Sequence, residues 1–404
     1  MDPPQEYSTL LEAVSKVADP RKARGKQHDW KVLLSITCAA IASDQKSVRA
    51  MSQWVHEHAE QLREQLQTCP ARLPSASTLY RAIRAIDPTE LERHLSLYTS
   101  SLEAQTQTQT QTQTQTQCRH EGMAIDGKQL RGARAHGRHT CLVSLVRHKS
   151  AVVLQQQAVD TKSNEITAVP TLLQGRDLRG TVVTMDALLT QRSIAQQVLK
   201  QGGDYLMVAK QNQPELYCAI EQLFSSPPWL AKEKADSYRF YRKTEKGHGR
   251  VETRTLESSW VLCEANAALK LPKYLDWPGS KQVMRRTCRR VKLSTGEISE
   301  EVTYGITSLG WGQAGAKELE RLWRGHWTIE NRVHYVRDVT MGEDQNQMHT
   351  GNAPQVLAAL RNGIISLLRV SGWKSIAEAL RHYSAAVSNA LLLISSPLHS
   401  LIRL

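Results

Sequence analysis

Apolar residues recur at helical spacing over roughly the first hundred positions. From about 120 to 310 they alternate or run continuously, and beyond that they return to helical spacing. The run Trp30–Ala42 is almost entirely apolar and predicts a buried helix. A second helix follows through Met51, Trp54 and Val55. Pro74 with Ser75 or Ser77 can start a third, with Leu79, Ile83 and Ile86 facing inward and Arg81 and Arg84 outward. That pattern fits a helix-turn-helix element or a plain capped helix. The Gln-Thr alternation over 105–117 has no apolar face and reads as a solvated linker.

Strands are predicted at Met123–Asp126, Cys141–Val146, Ala151–Val159 and Thr181–Asp186. A helix over Gln191–Lys200 is ended by Gly202 and Gly203, and a fifth strand spans Asp204–Lys210. Three strands in succession, then strands alternating with a helix, predict an α/β fold with a mixed sheet flanked by helices. The stretch 225–312 is β-rich and basic; Lys281–Lys292 holds six basic residues and no acid. The expected segments are an α-helical N-terminal domain over 1–104, the linker over 105–117, the first part of the core over 118–224, a β-rich insertion over 225–312, and a helical C-terminal part of the core over 313–404.

Charge narrows the function. The 404 residues include 52 Lys and Arg against 39 Asp and Glu, a net charge of +13. So basic a chain calls for a polyanionic partner, with nucleic acid foremost and an acidic membrane surface as the rival. No stretch approaches the roughly 18 apolar residues of a membrane span, and the first ten residues lack the basic and apolar regions of a signal peptide. Seven cysteines, with no CxxC pair, argue against a zinc ribbon or a disulfide framework and fit a reducing cytoplasm.

Acids carry the candidate chemistry. Cleaving a phosphodiester requires a deprotonated nucleophile and a stabilised leaving oxygen, which two Mg²⁺ ions about 4 Å apart supply. Such ions need oxygen ligands, about three of them carboxylates on converging rigid elements. Asp126 and Asp186 each end an apolar strand beside a small residue, where an acid either binds a ligand or shapes a turn. Trp323, Trp327, Glu330 and His334 recur at helical spacing, which puts Glu330 on a tryptophan-lined face. A carboxylate there binds metal or pairs with Arg324 or Arg332. Asp338, Glu343 and Asp344 are competing acids. Lys128 and Arg131 could clamp a phosphate or simply be solvated. His248, Arg250, Glu252 and Arg254 share one strand face, as a phosphate-tracking stripe or a salt-bridge ladder. Trp323 and Trp327 could stack on a flipped base or pack in the core.

These residues resemble a known family. Ala124–Gly132, Lys162–Ile166, Thr184–Ala187 with Gln191, Asp204–Pro214, His248–Arg254, His326–Asn331, Asp338–Val339, Glu343–Asp344 and Thr350–Pro354 match, in order, the H-repeat-associated branch of bacterial insertion-sequence DDE transposases. Asp19–Arg21 and Pro74–Thr78 also fit, so the likeness covers nearly the whole chain. It implies an RNase-H-like core with Asp126, Asp186 and Glu330 as the catalytic and metal-binding acids, holding two Mg²⁺ that Mn²⁺ can replace. Trp323, His326, Glu330 and Arg337 stand at the positions of a Tyr-x2-Arg-x3-Glu-x6-Lys pattern, which implies DNA contacts at Trp323, His326 and Arg337. Lys210 and Asn212 are further DNA contacts by the same likeness. The implied partners are double-stranded DNA, both terminal inverted repeats and target, and further copies of the chain in a dimer or larger oligomer at the bacterial nucleoid. Two other readings compete: an inactive or domesticated DNA-binding copy, favoured by the Gln-Thr expansion and by Gln211 where relatives carry Gly, and an RNase-H-like nuclease that cuts without joining.

Overall fold

The computed structural model describes residues 6–22, 24, 26–67, 73–111, 120–135, 138–159, 164–228, 236–263 and 276–401. They form two compact units. The first comprises 1–117, 127–168 and 328–404; the second comprises 118–126 and 169–327. The chain therefore changes unit four times, and two of the changes, at Asp126–Gly127 and Trp327–Thr328, fall beside the first and third expected acids.

In the first unit the expected helices form for local reasons. Trp30–Ala42 starts where Asp29 accepts a hydrogen bond from the Val32 N–H at 3.2 Å, and ten of its residues are buried. Ser75 caps Ala76–Ala85 in the same way through the Thr78 N–H. Leu79, Ile83 and Ile86 of that stretch are buried, while Arg81 and Arg84 face solvent. A helix apolar on most of its circumference must be covered on most sides. The cover comes from the far end of the chain: Leu33, Ile36, Met51, Leu79 and Tyr98 share one core with Leu357, Leu360, Ile364, Leu380 and Leu391. The expected separation of 1–104 from the C-terminal helices is thus replaced by a joint core.

The Gln-Thr tract also differs from expectation. Helix Pro88–Gln111 runs into it, anchored by buried Leu91, Leu95, Tyr98 and Leu102. Once a helix is nucleated, each added residue costs little, and Gln is a good helix former. Residues 112–117 of the expected linker lie outside the described ones.

The sheet contains β1 (Glu121–Ala135), β2 (Arg138–Arg147), β3 (Val153–Ala158), β4 (Thr181–Met185), β5 (Asp204–Ala209), β6 (Tyr238–Gly247), β7 (Arg250–Ser259), β8 (Gln282–Lys292) and β9 (Ile298–Thr307). Its strand order is β3-β2-β1-β4-β5-β9-β8-β7-β6. β2 and β3 are antiparallel, whereas β4 runs parallel to β1 and β5 parallel to β4. The first five strands in this order and sense make the core RNase-H-like. In the first unit, edge strand β3 is covered by helix side chains. Its Val153 N–H donates to Ser366 Oγ at 3.0 Å, and its Leu154 carbonyl accepts from Thr99 Oγ1 at 3.3 Å.

In the second unit, β9 pairs antiparallel with β5, and β8, β7 and β6 follow. The β-rich segment expected as an insertion over 225–312 therefore extends the core sheet through β9. Helix Ala316–Gly325 buries Leu319, Leu322 and Trp323 against Val182, Leu206, Leu256 and Met284. Trp323 lies so close to β9 that a Cβ on Gly305 would meet its ring at 2.7 Å and the Met207 carbonyl at 2.8 Å. No helix among the described residues is long and apolar enough to cross a membrane.

One half-buried acid in the first unit makes stability pH-dependent. Gln156 of β3 donates to Glu92 Oε1 at 2.6 Å. Burial pushes the Glu92 carboxyl up to about 8, against the hydrogen bond from Gln156 and the charge of Arg337. The folded chain then holds a proton that the unfolded chain releases between 4.5 and about 8, so stability falls as pH rises through that window. Glu92→Gln, which mimics the protonated form, should flatten the decline of melting temperature across that interval.

Candidate metal centre and its surroundings

Two of the expected acids meet through strand register in the second unit. Ile125 of β1 lies opposite Met185 of parallel β4. Asp126, still within β1, and Asp186, just past the end of β4, are the next residues, so they stand next to each other on neighbouring strands where that pairing ends. Such strands lie about 4.8 Å apart, a spacing at which two carboxylates can share one divalent cation. Asp186 also shapes its turn: Oδ1 accepts from the Leu189 N–H at 3.0 Å, and its carbonyl accepts from Thr190 Oγ1 at 2.9 Å. The turn-forming role thus occupies one carboxylate oxygen of two. Asn212, in the turn after β5, donates to the Ala187 carbonyl, and Gln213 donates to the Thr190 carbonyl at 3.2 Å. The asparagine expected on DNA therefore braces the loop behind Asp186.

The third acid belongs to the first unit. The α-helix that carries Trp323 ends at Gly325. Beyond it the backbone widens into two π-helical stretches, Glu330–His334 and Val336–Thr340, with Tyr335 N–H bonded to the Glu330 carbonyl. Such widened turns are rare and often mark functional sites. The expected stripe is split before them: the α-helix ends at Gly325, so Trp323 is buried while Trp327, in the turn that follows, is 53% exposed. The Glu330 side chain is 48% exposed, and its Oε2 lies 3.7 Å from Nδ1 of buried His334. Burial pushes the His334 imidazole below its ordinary value, outweighing the nearby Glu330 carboxylate, so the ring is neutral at pH 7.

Two anchors hold this segment within the first unit. Thr328 Oγ1 donates to the His148 carbonyl at 3.2 Å, and Arg332 to the Lys149 carbonyl at 3.0 Å. Eight residues beyond Glu330, Asp338 takes Lys128 Nζ at 2.6 Å from each carboxylate oxygen. Burial raises the Asp338 carboxyl above its ordinary value despite that ammonium group. Arg337 is fully buried: it forks onto Glu343 at 2.7–3.1 Å and donates to Gln156 at 3.0 Å, and Arg361 reaches Glu343 at 3.2 Å. Burial opposes charge on Glu343, but Arg337 and Arg361 outweigh it and hold the carboxyl below its ordinary value.

Several expected DNA contacts are corrected by these placements. Lys128 is buried on Asp338 and Arg337 on Glu343, so neither can meet a phosphate. In the second unit, Arg254 is 3% exposed and enclosed by Glu245, Glu252 and Glu320, which makes its strand face a salt-bridge ladder. Trp323 is core. His326 Nδ1 lies 3.1 Å from Thr184 Oγ1 on β4. Arg131, Lys210, His248 and Arg250 remain on the surface, with Arg131 80% exposed.

Two further residues stand out: His334 beside Glu330, and Glu165. A Cβ on Gly127, the residue after Asp126, would lie 2.1–2.4 Å from the Glu165 carboxyl group, the far end of a flexible side chain that would have to swing aside. The sequence signal for Glu165 was its block, Lys162–Ile166; nothing in that block pointed to this contact.

Comparisons with known proteins show the family of the chain. Residues 11–99 match the DDE_Tnp_1-associated family, and residues 81–367 match the Transposase DDE domain family. The protein YbfL of Escherichia coli strain K12 is 28% identical over 368 residues, which cover 90% of this chain and 91% of that one. YhhI of the same strain, whose name describes an H repeat-associated transposase, shows the same identity and coverage. A protein encoded in the dhlA 3′ region of Xanthobacter autotrophicus is 31% identical over 297 residues, 72% of this chain and 92% of its own. Among solved structures, a piggyBac transposase synaptic complex with hairpin DNA aligns with 98% of this chain and 80% of its own, at 11% identity and a TM-score of 0.45.

Because Arg337 is a buried partner of Glu343, its loss should act on folding. Arg337→Met should lower the stability measured by urea denaturation by about 3–5 kcal/mol. DNA affinity per folded molecule should stay unchanged.

Proposed function

We propose, from the premise that this chain belongs to the Transposase DDE domain family, that it cuts DNA at the ends of a mobile element and joins the freed 3′ ends to target DNA. The observation that carries the reading is the register of β1 on β4, whose last pair, Ile125 and Met185, is followed by Asp126 and Asp186. Glu330 supplies the third carboxylate. Hard divalent cations favour oxygen donors, and three carboxylates fit a pair of Mg²⁺ ions, which Mn²⁺ can replace. Bound there, such ions lower the pKa of the attacking water or 3′-OH and neutralise charge on the leaving oxygen.

The chain's own residues do the positioning. The turn bond from the Leu189 N–H holds one Asp186 oxygen on the loop and leaves the other for a ligand. Neutral His334 sits against Glu330 without adding a competing positive charge. Surface cations at Arg131, Lys210 and Arg250 would follow the phosphate backbone of double-stranded DNA, so affinity would fall with salt. Two element ends held together require at least two copies of the chain. The reading places the protein in the bacterial cytoplasm, on the chromosome.

The test uses DNA ending in the inverted repeats that flank the coding segment, with and without Mg²⁺. Wild type should nick and strand-transfer only with metal. Glu330→Gln should bind the same DNA but lose at least about 100-fold in rate. Binding without cutting by the wild type would overturn the reading and leave a DNA-binding protein; cutting without joining would leave a nuclease.

A further inference from the structure

The sequence places a lysine two residues after Asp126, where a phosphate clamp would be welcome. The structure puts it elsewhere. Lys128 is on β1, on the same strand face as Asp126 by alternation. Its side chain is 7% exposed, and its Nζ lies 2.6 Å from each oxygen of Asp338. Asp338 is in the second π-helical stretch, eight residues beyond Glu330.

A π-helix binds i to i+5 and is held weakly by its own backbone, so its register depends on outside contacts. This segment has one set at each end. Thr328 and Arg332 bond the turn between β2 and β3, and Asp338 bonds Lys128. Between these contacts stands Glu330. Next to Asp338, Arg337 locks into Glu343 and Gln156, which stops the segment from rotating about the Lys128 contact. The ammonium group also has an electrostatic role. Asp338 is a half-buried carboxylate close in sequence to a metal-binding acid, and it would compete for a divalent cation unless its charge were already met.

We infer that Lys128 and Asp338 are positioning residues: within the first unit their ion pair fixes the segment that carries Glu330, and withholds Asp338 from the metal. The inference rests on the metal-dependent reading above. Residues that orient metal ligands from behind typically change metal affinity or activity by about 10–100-fold when removed.

The test compares full-length wild type with Lys128→Met, Lys128→Arg, Asp338→Asn and the swap of Lys128→Asp with Asp338→Lys. Three quantities are read: Mn²⁺ binding by calorimetry without DNA, affinity for end DNA, and cleavage rate against Mn²⁺ concentration. Lys128→Met and Asp338→Asn should each weaken Mn²⁺ binding about 10-fold or more, and raise half-saturating Mn²⁺ for cleavage by a similar factor. DNA affinity should hold within about twofold, since neither side chain reaches solvent far enough to meet a phosphate. Lys128→Arg should keep wild-type metal affinity, and the swap should recover part of it. These two variants keep the pair testable should a single substitution fail to fold.

Three results would overturn the inference. Unchanged Mn²⁺ affinity in both single variants would show that the pair does not act on the metal. Lost DNA affinity in Lys128→Met alone would make Lys128 a phosphate contact. Complete loss of Mn²⁺ binding in Asp338→Asn, with tighter binding in Lys128→Met, would make Asp338 a ligand. A wild type that binds no Mn²⁺ and cuts no DNA would instead overturn the metal reading, and this inference with it.

Discussion

Much of the first unit hangs on a carboxylate with almost no access to water. Glu343 lies between Arg337 and Arg361, and Arg337 continues to Gln156, which in turn holds Glu92 and accepts from Asn362 at 2.8 Å. These residues come from the helix before the Gln-Thr tract, from edge strand β3, from the π-helical segment and from the long helix Ala353–Val370. Taking charges out of water costs several kcal/mol per ion, and only well-aligned partners recover it. A hydrophobic contact in that place could slide. A forked guanidinium on a carboxylate has one geometry, so the elements it joins have one register.

The second unit uses charge differently. Glu320 of the helix packed on the sheet takes Arg286 at 2.8 Å and Arg254 at 3.2 Å, while Arg254 also meets Glu245 and Glu252. Four chain segments are joined through one face of the β-extension. Paired with glutamates, these arginines add nothing to the net charge of +13, which rests on cations elsewhere in the chain. The surface cations at Arg131, Lys210 and Arg250 are a smaller set than the sequence offered.

What could be read from the residues follows from how local the cause is. Strand ends, caps and helix faces depend on neighbours a few positions away, so Thr181–Met185, the Ser75 cap and the outward Arg81 and Arg84 were legible. So was the likelihood that Asp126 and Asp186 leave neighbouring strands. Partners far apart in sequence were not. Arg254 and Glu320 are separated by two strands, and nothing in an alternating His-Gly-Arg-Val-Glu-Thr-Arg run distinguishes a phosphate stripe from a ladder that neutralises itself. The shared core of the two chain ends has the same origin. The widened turns at Glu330 escaped for another reason: a spacing of three and four fits a regular helix, and the only sign of departure is that Trp327 faces water.

Gly305 marks a difference between what folding requires and what chemistry requires. It lies between the Trp323 ring and the Met207 backbone carbonyl, with no room for a methyl group, whereas Asp126 is a partly exposed acid. In a lineage where mobility had stopped mattering but the folded protein was still kept, mutations would accumulate unevenly. The three acids could drift to neutral residues, while Gly305 and the Arg337–Glu343 pair would stay under selection. A copy retired from transposition but retained by its host would carry that signature, and the loss of its acids would date from the end of its mobile life.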